Sequence, residues 1–297
     1  MGDLIPLFPL GSPLFPGVVL PLQIFEPRYR RLVADLVARP EGSGPRSFGV
    51  VAIRQGWEVE RVAPAEALFD VGCTAVVRAV TPQADGGYRL VTVGGDRFRL
   101  LDVVVADDPP YLQAEVEWLG EEEAAEEAAG DADGLTPPPG GLTPVDDALA
   151  ASVAQGSLDL LVGNVSDLFS RYVTEVAVLR SGGGPIEVDD EEEAELLADL
   201  GLDGLDGEGD DAAAETADSA AAALLRQVGD DARGLSYLVA SAALLTTDDR
   251  QALLAESATR RRLAAESRLL RRELTLLREL GAVPVPLQRF ATPMTPN

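Results

Sequence analysis

The prolines at positions 6, 9, 13, 16 and 21 limit the fold of this chain more than any other feature, because they are threaded through an otherwise apolar segment. Each fixes one φ and removes one amide donor, so any strand here is an edge strand or is broken by bends. Phe8, Phe15, Ile24 and Phe25 supply large apolar area with no charge between Asp3 and Glu26. That composition predicts a segment that wraps against a neighbouring sheet and buries these side chains. After Pro27 the period changes. Tyr29, Leu32, Val33, Leu36 and Val37 recur at three- and four-residue spacings, and Pro27 suits a first helical turn, which predicts a helix over 27–39 closed by Pro40 and Gly42.

Residues 4–31, with their Leu14-Phe15-Pro16-Gly17 loop and Phe25-Glu26-Pro27-Arg28-Tyr29 helix start, closely resemble the opening of the Lon substrate-binding domain family. The resemblance continues in family order through Phe48-Gly49-Val50-Val51, Val71-Gly72-Cys73-Thr74-Ala75, Gly95-Asp96-Arg97-Phe98-Arg99 and Pro110-Tyr111-Leu112-Gln113-Ala114-Glu115-Val116. It resumes at Asp249-Arg250-Gln251-Ala252-Leu253-Leu254 and Arg262-Leu263. The resemblance implies a small β-rich subdomain followed by a helical one, which in full-length Lon proteases captures substrate protein.

The chain has no histidine and no lysine, so all 24 of its basic residues are arginine. Ser-His and Cys-His nucleophile activation, imidazole metal ligation, a Walker A lysine, a Ser-Lys dyad and a Schiff base are all beyond its side-chain inventory. An ATP-dependent peptidase component, the first alternative for a Lon-like chain, is disfavoured on that ground. Cys73, the one cysteine, sits in an apolar alternating run and reads as an inert buried thiol. It leaves no internal disulfide and no four-thiolate zinc site. No catalytic residue, cofactor or metal is expected. The N-terminus lacks signal-peptide character and no apolar run is long enough to cross a bilayer, so a cytoplasmic location is expected.

The net charge of −26 is concentrated: residues 1–120 carry −4, residues 121–231 carry −26, and residues 232–297 carry +4. Within the middle, 121–134 and 187–218 are mostly Ala, Gly, Asp and Glu, a composition that buries too little apolar area to offset chain entropy. Both are expected to be disordered, with 121–144 an acidic, Pro/Gly-rich linker and 182–223 an acidic insert. An acidic structural or regulatory scaffold is therefore a second alternative. Asp206 to Asp211 alternate like a calcium loop, but Asp211 replaces the required Gly and Ala217 the bidentate Glu. Arg260, Arg261, Arg262, Arg268, Arg271, Arg272 and Arg278 lie on one predicted helix, but interleaved Glu266, Glu273 and Glu279 and the absence of aromatic residues among them argue for a solvated face rather than nucleic-acid binding. Pairs such as Arg268 with Glu273 or Arg262 with Glu266 are expected on that face.

These readings give an α+β protein. Residues 1–120 form a partly open, antiparallel β-barrel-like subdomain of about six strands with one helix. Strands are expected at 47–54, 71–81, 88–94, 96–105 and 111–118, with Gly94-Gly95 as a turn between two of them. A helical subdomain follows, with one helix over 145–181 and further helices over 224–281 ending in a long one, and a Pro-containing tail at 282–297. The expected function is a non-catalytic module that binds unfolded or apolar protein segments, or a protease or chaperone partner, with no nucleic acid and no membrane. The candidate site residues are Phe8, Phe15, Pro16, Phe25, Glu26, Arg28, Tyr29, Arg97 and Tyr111. Two readings of them stand open: ion pairs and caps that hold the proline loop on the sheet, or a peptide groove floored by Phe8, Phe15 and Phe25 in which Arg97 or Arg28 takes a carboxylate.

Overall fold

The computed structural model describes residues 3–40, 42, 44–54, 64–121, 147–182, 219, 221–226, 228–229 and 231–280. The acidic insert expected at 187–218, most of the linker expected at 121–144 and the tail from 281 lie outside the described residues. In chain order the elements are β1 (Asp3–Leu10), β2 (Val19–Ile24), α1 (Pro27–Ala38), β3 (Ser47–Ala52), α2 (Pro64–Ala67), β4 (Val71–Pro82), β5 (Tyr88–Val104), β6 (Gln113–Leu119), α3 (Asp147–Gly182), α4 (Ala232–Ala242), α5 (Thr247–Ala255) and α6 (Thr259–Leu280). They divide into two compact units, Met1–Glu122 with Thr247–Ala258, and Glu123–Thr246 with Thr259–Asn297. The sequence pattern places α5 with the other helices, whereas its residues cluster with the sheet.

The sheet runs β2-β5-β4-β3-β1-β6, and β6 also pairs with the distal half of β5, so it curls on itself. One pairing departs from the expected antiparallel pattern: β1 lies parallel to β3. The chain between them runs through β2 and α1, the kind of long crossover that a parallel pair needs. Gly94 and Gly95 are not a turn either, since β5 continues through them from Tyr88 to Val104. The helix expected after Pro27 forms there, with Tyr29, Leu32, Val33 and Leu36 buried on one stripe. Alternation along β1 turns Leu7 into a core with Val51, Leu68, Phe98, Ala114 and Val116. It turns Phe8 the other way, onto the Tyr29 ring of α1.

Three of the blocks that carry the family resemblance meet at Phe98. A Cβ on Gly49 would lie 2.8 Å from the Phe98 Cζ, and one on Gly72 would collide with the same ring and with the Val50 carbonyl. Glycine at both positions is thus a steric requirement of the packed phenylalanine.

In the helical unit, Val165, Phe169, Tyr172 and Val176 of α3 form one core with Leu235 and Val239 of α4 and Leu263, Leu270, Leu274 and Leu277 of α6. The Leu244 amide donates to the Tyr172 hydroxyl at 3.0 Å, fastening the end of α4. The expected solvated charge face of α6 needs correction, because Arg262, Glu266 and Glu273 are buried. The Arg262 guanidinium lies 4.0 Å from the Tyr237 ring centroid and donates to Ser236 Oγ at 2.8 Å. Glu273 pairs with Arg272 at 2.7 Å rather than with Arg268.

Glu266 makes no hydrogen bond through either carboxylate oxygen. Burial raises its pKa well above the usual carboxylate range, against the opposing pull of Arg262 one turn earlier. A folded-state pKa raised above the unfolded value means that stability is lost as pH rises from the ordinary carboxylate range through the native pKa. Glu266→Gln, which is neutral throughout, should match the wild type near pH 4 and become the more stable protein as pH rises toward 8. Urea unfolding of both proteins across that range checks this; a constant offset between them would contradict it.

Candidate functional site

The proline loop is seated on β5 by two backbone hydrogen bonds around one glycine. Gly17 N donates to Gly94 O at 2.8 Å, and Gly94 N donates to Val18 O at 2.8 Å. A Cβ on Gly94 would collide with the Phe15 carbonyl oxygen, so only glycine lets the loop approach this closely. The contact presses Phe15 into the interior, where its exposure is 0%. Pro16, the next residue, is half-buried.

Three residues beyond Gly94 on β5, Arg97 is buried to 2% exposure, and both terminal nitrogens of its guanidinium donate to protein acceptors. Nη1 donates to Leu254 O at 2.8 Å and to Glu256 O at 2.9 Å. Nη2 donates to Gly120 O at 2.9 Å and Ser257 Oγ at 3.4 Å, and pairs with Glu121 Oε1 at 2.8 Å. A planar fork with five N–H donors suits such a cluster of acceptors, and an ammonium group does not. Gln251 Nε2 adds a bond to Val71 O at 2.8 Å, tying α5 to β4. The Arg250 guanidinium lies 6.0 Å from the Phe15 ring centroid, and burial lowers its pKa to about 10.

A second knot secures α1. Phe8 packs against Tyr29 at a tilt, with centroids 4.1 Å apart, and Phe48 lies 5.7 Å from Phe8. Arg28 sits 4.7 Å from the Tyr29 ring centroid and pairs with Glu26 at 2.8 Å. Burial raises the pKa of Tyr29. The Tyr111 hydroxyl donates to Asp35 Oδ2 at 3.0 Å, and its pKa is pushed up to about 12 by burial and by that carboxylate. Asp35 also pairs with Arg31 at 2.8 Å. Asp35, Gln251 and Arg250 escaped the sequence reading; the last two lie in a stretch that matched the family without any sign of what it contacts.

The candidate residues are thus not gathered on one groove. Phe8 and Phe15 are interior, Arg97 is spent on protein acceptors, and Arg28 is paired with its neighbour. Phe25, expected to be buried, is 67% exposed. The reason is local: strand alternation through Leu22 and Ile24, both buried, turns residue 25 outward before Pro27 starts the helix. Chemically the arrangement offers few reactive groups. The Cys73 thiol is buried, donates to Gly95 O at 3.5 Å, and has a pKa raised by burial to about 12. Among the described residues no cluster of acidic or thiol side chains is placed to hold a metal ion, and no helix is long and apolar enough to cross a membrane.

A curled sheet clasped by a proline loop and one returning helix, with a separate helical unit, defines a mixed α+β module. The chain belongs to the family described as the ATP-dependent protease La (LON) substrate-binding domain, which it matches over residues 4–272. It is 24% identical to Lon protease 1 of Herpetosiphon aurantiacus over 93% of this chain and 25% of that protein. It is 38% identical to Lon protease 2 of Syntrophobacter fumaroxidans over 37% of this chain and 13% of that protein. The chain therefore spans a quarter or less of the length of these curated relatives. A solved Lon N-terminal domain protein from Xanthomonas campestris aligns over 91% of this chain and 98% of its own, at 22% identity and a TM-score of 0.47.

Gly94→Ala should unseat the loop and destabilise the sheet unit by about 1–3 kcal/mol, the usual range for overpacking a close contact. Gly163→Ala, in an open helical position of α3, should be neutral or stabilising by up to roughly 1 kcal/mol. Urea titration of the two variants against the wild type measures both.

Proposed function

We propose that this chain is a non-catalytic substrate-binding module that captures exposed apolar segments of client proteins in the bacterial cytoplasm. Membership of a substrate-binding family supports the protein-binding part. The apolar preference rests on Phe25, an aromatic side chain 67% exposed within a motif whose other aromatics are buried. Pro27 and the Arg28–Glu26 pair flank it, so it is presented on rigid backbone, which lowers the entropy cost of binding. The absence of lysine and histidine from the sequence and the inert Cys73 thiol favour binding without hydrolysis.

The contrast between Phe25 and Phe15 makes the reading testable. Phe25→Ala should melt like the wild type, because an exposed truncation costs less than about 0.5 kcal/mol, while weakening capture of reduced, carboxamidomethylated lactalbumin severalfold. Phe15→Ala should cost about 3–5 kcal/mol, as for other buried aromatics. Fluorescence anisotropy of the labelled client, run beside thermal melts, reads both effects. Undiminished capture by Phe25→Ala would remove this residue from the recognition surface.

A further inference from the structure

Strand register shows what lies beside Phe25. Directly paired antiparallel residues point to the same face. Register between β2 and β5 pairs Val19 with Val93, Pro21 with Val91 and Gln23 with Arg89. Register between β5 and β4 continues these rows to Val76, Ala79 and Thr81. Leu22, Ile24 and Leu90, of opposite parity, are buried, so the three rows face outward. Val19 is 51% and Val91 39% exposed, and Phe25 continues the outward alternation of Val19, Pro21 and Gln23. Two rows are wholly apolar and the third carries Arg89.

The charge on this face differs from that of the chain. No Asp or Glu stands on the three rows, whereas Arg89 lies on one and Arg78 sits at the register irregularity between Val77 and Ala79, both exposed. The chain as a whole carries −26. β2 is the terminal strand, and Pro21 within it removes an amide donor, so the edge is poorly suited to accept an added strand. Recognition here falls to side chains on the face.

We propose that the outer face of β2, β5 and β4 docks extended client segments in which aliphatic or aromatic side chains are followed by a carboxylate. The apolar rows take the apolar side chains, and Arg89, on the next row along, takes the acid, with the exposed Arg78 adding positive charge beside the second row. Residues two apart on a strand are separated by about 7 Å, so the acid falls about two residues beyond the apolar pair. This inference rests on the substrate-binding reading above and adds the location and the chemistry of the preferred client.

The test uses the full chain and two fluorescein-labelled peptides, one with a Val-Leu-Val-Gly-Glu-Glu core and a twin with Lys in place of Glu. Unfolded lactalbumin serves as a general client. The wild type should bind the acidic peptide at least about fivefold more tightly than its twin. Val19→Ser combined with Val91→Ser should weaken the acidic peptide about tenfold. Arg78→Glu combined with Arg89→Glu should invert the preference. If the double arginine variant fails to fold, Arg78→Glu alone should still narrow the preference. Folded variants that bind the acidic peptide like the wild type, or a wild type indifferent to the twins, would overturn the proposed surface. In either case continued capture of lactalbumin leaves the substrate-binding reading standing. A wild type that captures neither lactalbumin nor peptide would bring down that reading and this surface together.

Discussion

The sheet unit depends on a buried guanidinium. Arg97 reaches from β5 to carbonyls of Leu254 and Glu256, residues more than 150 positions later in the chain, and to the carbonyl of Gly120 just past β6. Burying a charge costs several kcal/mol, and the cost is offset only when acceptors surround it. Here three carbonyls, a hydroxyl and a carboxylate do so. Two of these acceptors are the Leu254 carbonyl in the last turn of α5 and the Glu256 carbonyl just past it, at a helix end where backbone carbonyls lack intrahelical donors. Removing the arginine would therefore take a donor from polar groups on two parts of the unit, not merely delete one side chain.

Steric demands elsewhere in the unit come from its aromatic side chains and the loop that carries one of them. Phe15 occupies the interior beside α5, and its loop reaches that position only because Gly94 lets backbone meet backbone. Phe98, adjacent to Arg97 on β5, points to the opposite face and needs Gly49 and Gly72 beneath it. The motifs are held together by close approach, glycine against aromatic and arginine against carbonyl, more than by hydrophobic area alone.

Much of this was legible in advance. The change of period at Pro27 placed α1, and long apolar repeats placed α3 and α6; the prolines pointed to an edge strand, whereas β1, with Pro6 and Pro9, lies between β3 and β6, its two halves each pairing with one of them. What escaped reading was set by partners distant in sequence. Gly94-Gly95 looks like a turn until the proline loop is seen lying across it, and a helix such as α5 has the same local pattern whichever unit it packs against. Arg262 and Glu266 read as a solvated pair because α6 carries many arginines, whereas Tyr237 and Ser236 receive Arg262 in the interior. Phe25 was misplaced by composition, which treats all apolar residues alike; the parity of β2, which turns it outward, was available from Leu22 and Ile24. Where the candidate residues lie could not be read from the motifs, since they mix buried side chains such as Phe8, Phe15 and Arg97 with the exposed Phe25.

Arg97 holds α5 onto the sheet through the Leu254 and Glu256 carbonyls. Amide hydrogen exchange of the full chain, wild type against Arg97→Gln, measures how firmly it does so. In the variant, amides of 250–255 should lose protection by at least about tenfold and the sheet unit should lose about 3–5 kcal/mol against urea, as for other broken buried charge clusters. Equal protection of α5 in the two proteins, with stability changed by less than about 1 kcal/mol, would contradict it.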